Sequence, residues 1–551
     1  MKRRFLVILI FLLALFLRTY KLGSYPVSLT WDEAALGYNA YSILKTGKDE
    51  YGSVLPLIFK SFGDYKPGLY VYLAVPFVWL IGLSELAVRF PSALLGSLLA
   101  IVGYCLAKRL TSSERFGIIF SILLAINPWL IHFSRGAWEA NVTVFEIFLA
   151  FYLFINGIKN KNNLSLFFSS VLFGLTFITY QGAKVFTWLV VFGLVAIWRR
   201  EMPKLSTRKI FLLALPLVAS FLVVSWGLVA GETAGRLKVM SVFSYSRPIE
   251  VIQQIKKEGG VSESLFFPLF HSEGLSFLRG ILGRYFNHLS AKFLFFEGDW
   301  SSRRHNTTYF GMMYLASLPF LILGLIITLG RKPKKHDYLF LFWLLMAPVP
   351  AAITRDSIQG VRSLPMAVPL VYFEAVGLTV VLEASIKFKK IRTLLYLFLF
   401  SGYLFNVIMY LDLYYIHFPI NSAKDWLYGY KDMVGYVAKV QENYQKVVIT
   451  QKYGQPYIYY LFYNRYPPEM YQKQAYLKEN PYGDVGEIEK IDKVEFRNIY
   501  WPADRGISKS LFVGNEFELP LHDLVDQEKF QILKEVKFPD GGLAFRIVET
   551  R

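Results

Sequence analysis

Cysteine is nearly absent from this chain, since Cys105 is the only one and lies in an apolar stretch. A single cysteine excludes an intramolecular disulfide. Charged residues are also scarce, at 18% of the 551 residues, whereas hydrophobic residues make up 54%. A soluble globular protein of this length would carry more charge and fewer aromatic residues. The composition therefore indicates an integral membrane protein.

Several nucleotide and metal motifs are missing as well. No GxxxxGK[ST] loop is present, which argues against ATP-driven transport, and no GxGxxG fingerprint occurs. No DxD pair or His/Cys ligand spacing is found, so no cofactor is indicated. Asp299 and His305 are possible ligands of a divalent metal, but the pattern gives this only weak support. The net charge of +19 would suit nucleic acid, but the basic residues form short clusters between apolar windows, as membrane topology requires. We therefore expect no nucleic-acid partner.

Twelve apolar windows are what the sequence has in abundance. Most are long enough to cross about 30 Å of hydrocarbon as a helix. The windows are Phe5–Leu17, Pro67–Leu83, Phe90–Ala107, Phe116–Phe133, Val142–Ile158, Leu164–Tyr180, Val185–Trp198, Ile210–Ala230, Gly311–Gly330, Tyr338–Thr354, Ser363–Ala384 and Thr393–Ile416.

Basic clusters flank alternate gaps between these windows, and the positive-inside rule places them in the cytoplasm. The N-terminal cluster can share that side only if one early window enters and leaves by the same face. Pro67–Leu83 is the candidate, because Pro76 interrupts it and charged residues follow it. The sequence therefore predicts eleven spans and one juxtamembrane or re-entrant helix. The N-terminus would be cytoplasmic and the C-terminus extracytoplasmic, in a multi-pass protein of the plasma membrane.

The predicted fold is thus an all-α polytopic membrane protein with a small C-terminal α/β domain. The membrane domain is residues 1–418, with external loops at 18–89 and 231–310, and the extracytoplasmic domain is residues 419–551. In the tail we expect a helix at Asp425–Val440. Short strands are predicted at Lys446–Thr450, Val494–Tyr500, Ser510–Val513 and Ala544–Val548.

The first external loop contains the strongest candidate for catalysis. Thr30 and Glu33 have the spacing of a capping box, so Glu33 is more readily structural, in a supporting role. Asp32 has no part in such a cap, yet it is a carboxylate held rigidly just outside the membrane. Lys66 follows in the same loop and is, from local sequence alone, either a snorkelling lysine or a phosphate ligand.

Three further outer gaps contain charged candidates. Arg135 and Glu139 follow Asn127-Pro128-Trp129 and could simply pair with each other. Arg304 and His305 end the second long loop, and Arg362 lies in a later gap. The outer short gaps otherwise contain little arginine. Because one guanidinium group can bind two phosphate oxygens at once, these side chains are candidate phosphate ligands.

Taken in order, these segments resemble the GT-C superfamily of polytopic glycosyltransferases. The likeness is to the bacterial branch related to protein O-mannosyltransferases and to the aminoarabinose transferases of lipid A. It covers about Arg18 to Ile416. The motifs that carry it are Trp31-Asp32-Glu33, Lys66-Pro67, Arg89-Phe90-Pro91-Ser92-Ala93-Leu94, Asn127-Pro128-Trp129, Ser134-Arg135, Arg304-His305 and Arg362.

The resemblance implies that Asp32 is the catalytic carboxylate and that Lys66 and the loop arginines contact the donor phosphate. Two positions depart from the family pattern: Gly68 replaces a usual proline, and Glu139 stands where Asp is frequent.

The implied function is that of a hexosyl- or pentosyltransferase. Its donor would be a polyprenyl-phosphate sugar held in the lipid of the membrane, its acceptor is unknown, and the transfer would invert the anomeric centre of the sugar. The alternatives are a transporter or flippase, which Glu146 and Glu374 inside apolar windows favour, and a surface scaffold without catalysis.

Overall fold

The computed structural model describes residues 2–203, 206–229, 249–258, 266–387, 389–478 and 485–551. Every predicted apolar window contains a helix. The helices of the first half are α1 (Lys2–Thr19), α2 (Trp31–Thr46), α3 (Leu69–Ile81), α4 (Glu85–Thr111), α5 (Glu114–Ile126), α6 (Pro128–Ser134), α7 (Glu139–Asn160), α8 (Asn163–Thr179), α9 (Ala183–Trp198) and α10 (Thr207–Val229). Those that follow are α11 (Ile249–Glu258), α12 (Phe266–His271), α13 (Glu273–Leu289), α14 (Leu318–Gly330), α15 (Lys335–Met346), α16 (Val349–Ala352), α17 (Ala367–Ala384) and α18 (Lys389–Asp412). Residues 230–248 and 259–265, most of which belong to the predicted second external loop, lie outside the described residues.

Membrane spans are confirmed in part. Among the described residues, five helices are long and apolar enough to cross a membrane, and a sixth results if α5 and α6 form one bent span. The two meet at 53°, because Pro128 has no N–H to continue the ladder and the Asn127 side chain instead caps the new helix. The count of eleven stays a prediction, since several of the other apolar helices are shorter than a full span.

Helix α3 is one of these short helices. Its 13 residues extend about 20 Å, well below the roughly 30 Å of a hydrocarbon core. It packs against α2 and α4 while Trp79 and Leu80 at its far end stay exposed. A juxtamembrane position, as predicted for Pro67–Leu83, suits this length and this exposed apolar end.

The largest buried cluster joins α4 to α9 with α14, α15 and α17, and its members are almost all aliphatic or aromatic. At its periphery, α1, α10 and α18 expose long rows of large apolar side chains, such as Phe5, Phe211 and Phe398. Such continuous apolar surface is suited to lipid rather than to water. The protein is therefore a membrane protein with a packed helical interior.

The C-terminal tail contains the predicted small sheet. The strands of the tail are β3 (Lys446–Ile449), β4 (Leu477–Lys478), β5 (Glu487–Ile488), β6 (Lys490–Ile491), β7 (Val494–Phe496), β8 (Ser510–Gly514), β9 (Phe530–Lys537) and β10 (Leu543–Thr550). Six of them form the sheet in the order β6-β7-β3-β8-β10-β9, and β3 runs parallel to β7 and β8 while the other pairs are antiparallel. The other two, β4 and β5, pair separately. The helices of the tail are α19 (Phe418–Asn421), α20 (Tyr430–Val440), α21 (Pro456–Tyr463), α22 (Pro468–Gln472) and α23 (Trp501–Asp504).

The four predicted strands all belong to this sheet, whereas two boundaries differ from the prediction by more than two residues. Helix α20 begins at Tyr430 rather than Asp425, because Gly429 has a φ of 104°, which a right-handed helix cannot include. Strand β7 ends at Phe496 rather than Tyr500, since the chain soon turns into α23. Strand β9 was not predicted, because its sequence lacks a regular apolar and polar alternation and only Phe530 and Val536 are buried.

The tail shares a core with the predicted first external loop, residues 18–89. The Tyr459 hydroxyl donates to the Leu29 carbonyl at 2.9 Å, and the Tyr38 hydroxyl donates to the Tyr466 carbonyl at 3.0 Å. Contact is so close at Gly37 on α2 that a Cβ there would lie 2.6 Å from the Phe462 ring. The tail therefore braces the helix that begins at Trp31.

Candidate active site

Asp32 is fixed by the way that α2 begins. The Glu33 amide donates to the Thr30 hydroxyl at 3.3 Å, and the Thr30 amide donates to the Glu33 carboxylate at 3.1 Å. This confirms the capping box that the spacing predicts. Asp32 therefore lies in the first turn, where the helix dipole favours a negative charge.

Glu33 is occupied by structural bonds. Its carboxylate accepts from the Ala137 amide at 2.9 Å and from the Arg89 guanidinium at 3.0 and 3.1 Å. Arg89 is fully buried and also donates to the Leu22 and Pro26 carbonyls. This ion pair ties α2 to α4 and to the loop before α7, so Glu33 supports the site from behind.

A β-hairpin positions Lys66 beside Asp32. Strands β1 (Ile58–Ser61) and β2 (Asp64–Pro67) pair antiparallel around a turn in which Phe62 and Gly63 both have positive φ. The Lys66 ammonium forms an ion pair with the Asp32 carboxylate and lies 5.0 Å from the centre of the Phe62 ring. The Asp32 side chain is 43% exposed and that of Lys66 only 13%, so the carboxylate faces open space.

The departure at Gly68 has a steric reason. A Cβ at this position would lie 2.4 Å from the Phe59 ring of β1 and 2.9 Å from the Leu57 carbonyl. Any larger residue, including the proline of the family pattern, would have to push the hairpin away. Gly68 thus permits the close approach of β1 that positions Lys66 on β2.

Asp32 and Lys66 open onto a cavity of about 260 Å³ that gathers most of the predicted site residues. Glu139, Arg304, His305 and Arg362 line the same cavity. Its remaining lining residues are Thr30, Pro67, Trp138, Thr179, Tyr180, Gln181, Gly182, Gln359 and Val361. Six separate stretches of the chain thus converge on one concave space.

His305 and Arg304 are held by a buried carboxylate and a buried ring. The His305 Nδ1 lies 2.7 Å from Asp299 Oδ2, and the Arg304 carbonyl lies 2.7 Å from His132 Nε2. Burial alone would raise the pKa of Asp299, but the His305 imidazole and the hydrogen bonds from Gly360 and Ser301 outweigh it, so this pKa lies below its usual value. Asp299 is therefore an anion that orients the His305 ring.

The loop that carries Arg362 is fastened to the same carboxylate. The Gly360 amide donates to Asp299 Oδ2 at 2.7 Å, and the Trp129 indole donates to the Gly360 carbonyl at 3.1 Å. The Arg362 guanidinium itself donates to Asp356 at 2.8 Å. Asp299 thus links the two arginine-bearing loops. The Asn127-Pro128-Trp129 segment holds the loop of Arg362 through the hydrogen bond of the Trp129 indole.

Arg135 does not reach this cavity. It is fully buried, and its guanidinium donates to the backbone carbonyls of Leu17 at 3.0 Å and Tyr20 at 2.7 Å. It also packs 5.0 Å from the centre of the Tyr414 ring. These bonds tie the end of α1 to the loop before α7, so the predicted contact of Arg135 with a donor phosphate has no support from its position.

One wall of the cavity escaped the sequence reasoning. Thr179, Tyr180 and Gln181 lie between α8 and α9, and the Gln181 amide donates to the Tyr65 carbonyl of the hairpin at 3.0 Å. The only available signal was that this gap falls on the same predicted side as Asp32. Within the described residues, no three His, Cys, Asp or Glu side chains are grouped as metal ligands.

Comparison with known proteins identifies the fold. The crystal structures of ArnT from Cupriavidus metallidurans match over nearly the whole chain. The form bound to undecaprenyl phosphate has a TM-score of 0.52 at 12% identity and covers 99% of this chain and 96% of that one. The apo form has a TM-score of 0.53 at 12% identity and covers 98% and 95%. The chain has the GT-C fold. The fold that this resemblance implies is therefore confirmed.

Two sequence matches cover shorter parts of the chain. The family described as dolichyl-phosphate-mannose-protein mannosyltransferase matches residues 8–234, which contain Asp32, Lys66 and Glu139. An uncharacterised protein of Aquifex aeolicus (strain VF5) is 27% identical over 161 residues, or 29% of this chain and 31% of that protein. The match thus spans less than a third of this relative's length.

Proposed function

We propose that this protein is a glycosyltransferase that moves a sugar from a polyprenyl-phosphate donor to an extracytoplasmic lipid, glycan or protein. The observation that carries the proposal is that Asp32, Lys66, Arg304 and Arg362 line one cavity. A carboxylate beside several cations is what sugar transfer from a phosphate requires, since a proton must be accepted and a phosphate must be stabilised. The undecaprenyl phosphate bound to ArnT, which has the same fold, supports a donor of this class.

The donor phosphate would lie between Lys66 and the two arginines. Within the part of the chain that the structure describes, the Arg304 guanidinium has no carboxylate partner, whereas Arg362 is shared with Asp356. A guanidinium without a protein anion is the group best prepared to bind a ligand phosphate. Arg304 would therefore be the main phosphate ligand, with Arg362 and His305 beside it.

Lys66 gives Asp32 a switch that depends on the donor. The Lys66 ammonium pairs with Asp32 and so occupies the carboxylate that would accept the proton. A donor phosphate would give the Lys66 ammonium a second anion to pair with. The ion pair between Lys66 and Asp32 would therefore weaken when the donor is bound. Asp32 would then accept a proton only in the complex that can react.

The reaction is a single displacement. The acceptor hydroxyl oxygen forms a bond to the anomeric carbon while the bond from that carbon to the phosphate oxygen breaks, and the hydroxyl proton goes to Asp32. The polyprenyl phosphate leaves with the bonding electrons, stabilised by Lys66, Arg304 and Arg362. Attack from the face opposite to the leaving group inverts the anomeric centre. Glu139, in the first turn of α7, would contact the sugar or the acceptor.

The topology belongs to the same proposal. We infer eleven spans, a cytoplasmic N-terminus and an external C-terminus, which place Asp32 at the outer face of the plasma membrane. Residues 1–418 would form the transferase unit and residues 419–551 the external domain. Because the tail shares a core with the first loop, we expect the two units to fold together rather than separately.

A radiochemical assay on the purified protein tests this function against the flippase alternative. The protein is mixed with polyprenyl-phosphate sugar labelled in the sugar, together with a cell-envelope extract as acceptor. Label that appears in a new, chemically stable product supports the transferase. In proteoliposomes, label that only changes leaflet and remains on the polyprenyl phosphate would identify a flippase and overturn the proposal.

A further inference from the structure

A second cleft lies at the opposite ends of α1 and α4 from the candidate active site. Its volume is about 680 Å³, within the roughly 300–1,000 Å³ typical of small-molecule sites. It is lined by Arg3, Arg4, Val7, Ile8, Tyr104, Cys105, Lys108 and Glu114. We propose that this cleft binds the headgroup of an anionic phospholipid of the surrounding bilayer. The proposal does not depend on the enzymatic function.

The mouth of the cleft carries an excess of positive charge. Glu114 is held by two cations, since it pairs with Arg3 and accepts from Lys108 at 2.9 Å. Arg4 has no ion pair within the residues that the structure describes. Three cations therefore face one acid, which leaves room for the negative charge of a phosphodiester.

The inner wall of the cleft is apolar. Val7 and Ile8 lie about one helical turn deeper along α1 than Arg3 and Arg4, and Tyr104 and Cys105 lie about one turn deeper along α4 than Lys108. A site with a cationic mouth and an apolar wall fits an amphiphile better than a soluble anion.

The cleft lies where the lipids of the bilayer, which are amphiphiles, can reach it. Three helix ends meet there, because α1 and α5 begin at this face and α4 ends at it. Beside the cleft, Phe5 and Ile8 are exposed and begin the apolar surface of α1 that is suited to lipid tails. A phospholipid could thus place its phosphate on Arg4 and Lys108 and its acyl chains along Val7 and Ile8. Basic pockets between membrane helices bind anionic headgroups in this way.

Cys105 makes the proposal directly measurable, because it is the only cysteine of the chain and it lines the cleft. The rate at which a maleimide alkylates Cys105 is measured in detergent micelles. Phosphatidylglycerol, phosphatidylcholine with the same acyl chains, or inorganic phosphate is added. We expect phosphatidylglycerol to slow alkylation several-fold and the other two additions to have little effect.

Two double variants decide whether the cleft or the general surface charge is responsible. Arg3→Ala with Arg4→Ala removes the cleft arginines, and Arg199→Ala with Arg200→Ala removes the same charge from another basic cluster. Only the first pair should abolish protection. Native mass spectrometry of both variants counts bound phosphatidylglycerol whether or not the thiol reacts.

Three outcomes would overturn the inference. Equal protection by phosphatidylcholine would mean that any lipid covers the thiol, and equal protection by inorganic phosphate would mean a site for a soluble anion. Retention of phosphatidylglycerol by the Arg3 and Arg4 variant at the wild-type level, in native mass spectrometry, would show that these arginines bind no lipid.

Discussion

The ammonium of Lys66 is paired with the carboxylate of Asp32, although 34 residues separate them in the chain. A hairpin and a helix N-terminus bring them together, and both side chains open onto the cavity where Arg304 and Arg362 lie. In the proposed mechanism, Asp32 stays paired until the donor phosphate takes the Lys66 ammonium.

Lys66→Met should reduce sugar transfer by about 10²- to 10³-fold, the usual cost of removing one group that stabilises a developing negative charge. The matched control is Lys60→Met, on the facing strand β1 and outside the cavity, which should keep near-normal turnover. Initial rates with labelled polyprenyl-phosphate sugar measure both. Equal rates for the two variants would remove Lys66 from the mechanism.

Neighbouring arginines provide a second matched comparison. Arg304 lines the cavity, whereas Arg303 is exposed and donates to the Asn421 carbonyl at 3.2 Å. Arg304→Ala should raise the KM for the lipid-linked donor and lower kcat, because the phosphate loses its main guanidinium in both the bound and the reacting state. Arg303→Ala should leave both constants close to wild type. A larger loss for Arg303 would contradict the assignment.

The buried pair of Glu33 and Arg89 should contribute to stability rather than to chemistry. Arg89→Met leaves the Glu33 charge buried without its partner, and such losses amount to about 3–5 kcal/mol. We therefore expect a clearly lower melting temperature in detergent. Arg355→Met, in a loop beside the cavity but not among its lining residues, is the control. An unchanged melting temperature for Arg89→Met would show that the pair is dispensable.

The buried carboxyl group of Glu50 should make the free energy of unfolding depend on pH. It is fully buried in the loop between α2 and β1, where burial raises its pKa from 4.5 to about 8, against the hydrogen bond from Asn39. The unfolded chain releases this proton near pH 4.5 but the folded protein keeps it up to about pH 8. The free energy of unfolding should therefore fall as pH rises between these values, by about 3 kcal/mol between pH 4 and pH 7.

Glu50→Gln should remove this part of the pH dependence. Melting temperatures across pH 4–8 compare it with wild type and with Glu297→Gln, which changes a carboxylate that is half exposed. The Glu50 variant should gain relative to wild type as pH rises, whereas the Glu297 variant should follow the wild-type curve. Parallel curves for all three proteins would mean that Glu50 is already ionised in the folded state.

Features that depend on neighbouring residues could be predicted from the sequence. The apolar windows form helices because hydropathy is a local property, and the capping box of Thr30 and Glu33 follows from spacing alone. The hairpin before α3 was missed, because Phe62 occupies a positive-φ position where glycine or asparagine would have signalled a turn.

Features that depend on distant contacts could not be predicted. Nothing near Arg135 in the chain indicates that three backbone carbonyls around the end of α1 would take up its guanidinium. Likewise, no local pattern marks Thr179 and Gln181 as a wall of the cavity. The sequence predicts that Asp32, Arg304 and Arg362 lie on the same side of the membrane. Only the folded chain shows that their side chains line one cavity.

The most direct test of the central claim is the transfer rate of Asp32→Asn. The variant keeps the shape of the side chain and removes its charge, while the capping box of Thr30 and Glu33 stays intact. We predict a melting temperature close to that of wild type and a loss of sugar transfer of at least about 100-fold, since a positioned general base contributes this much or more. Transfer at the wild-type rate by a folded Asp32→Asn protein would contradict the proposed role of this carboxylate.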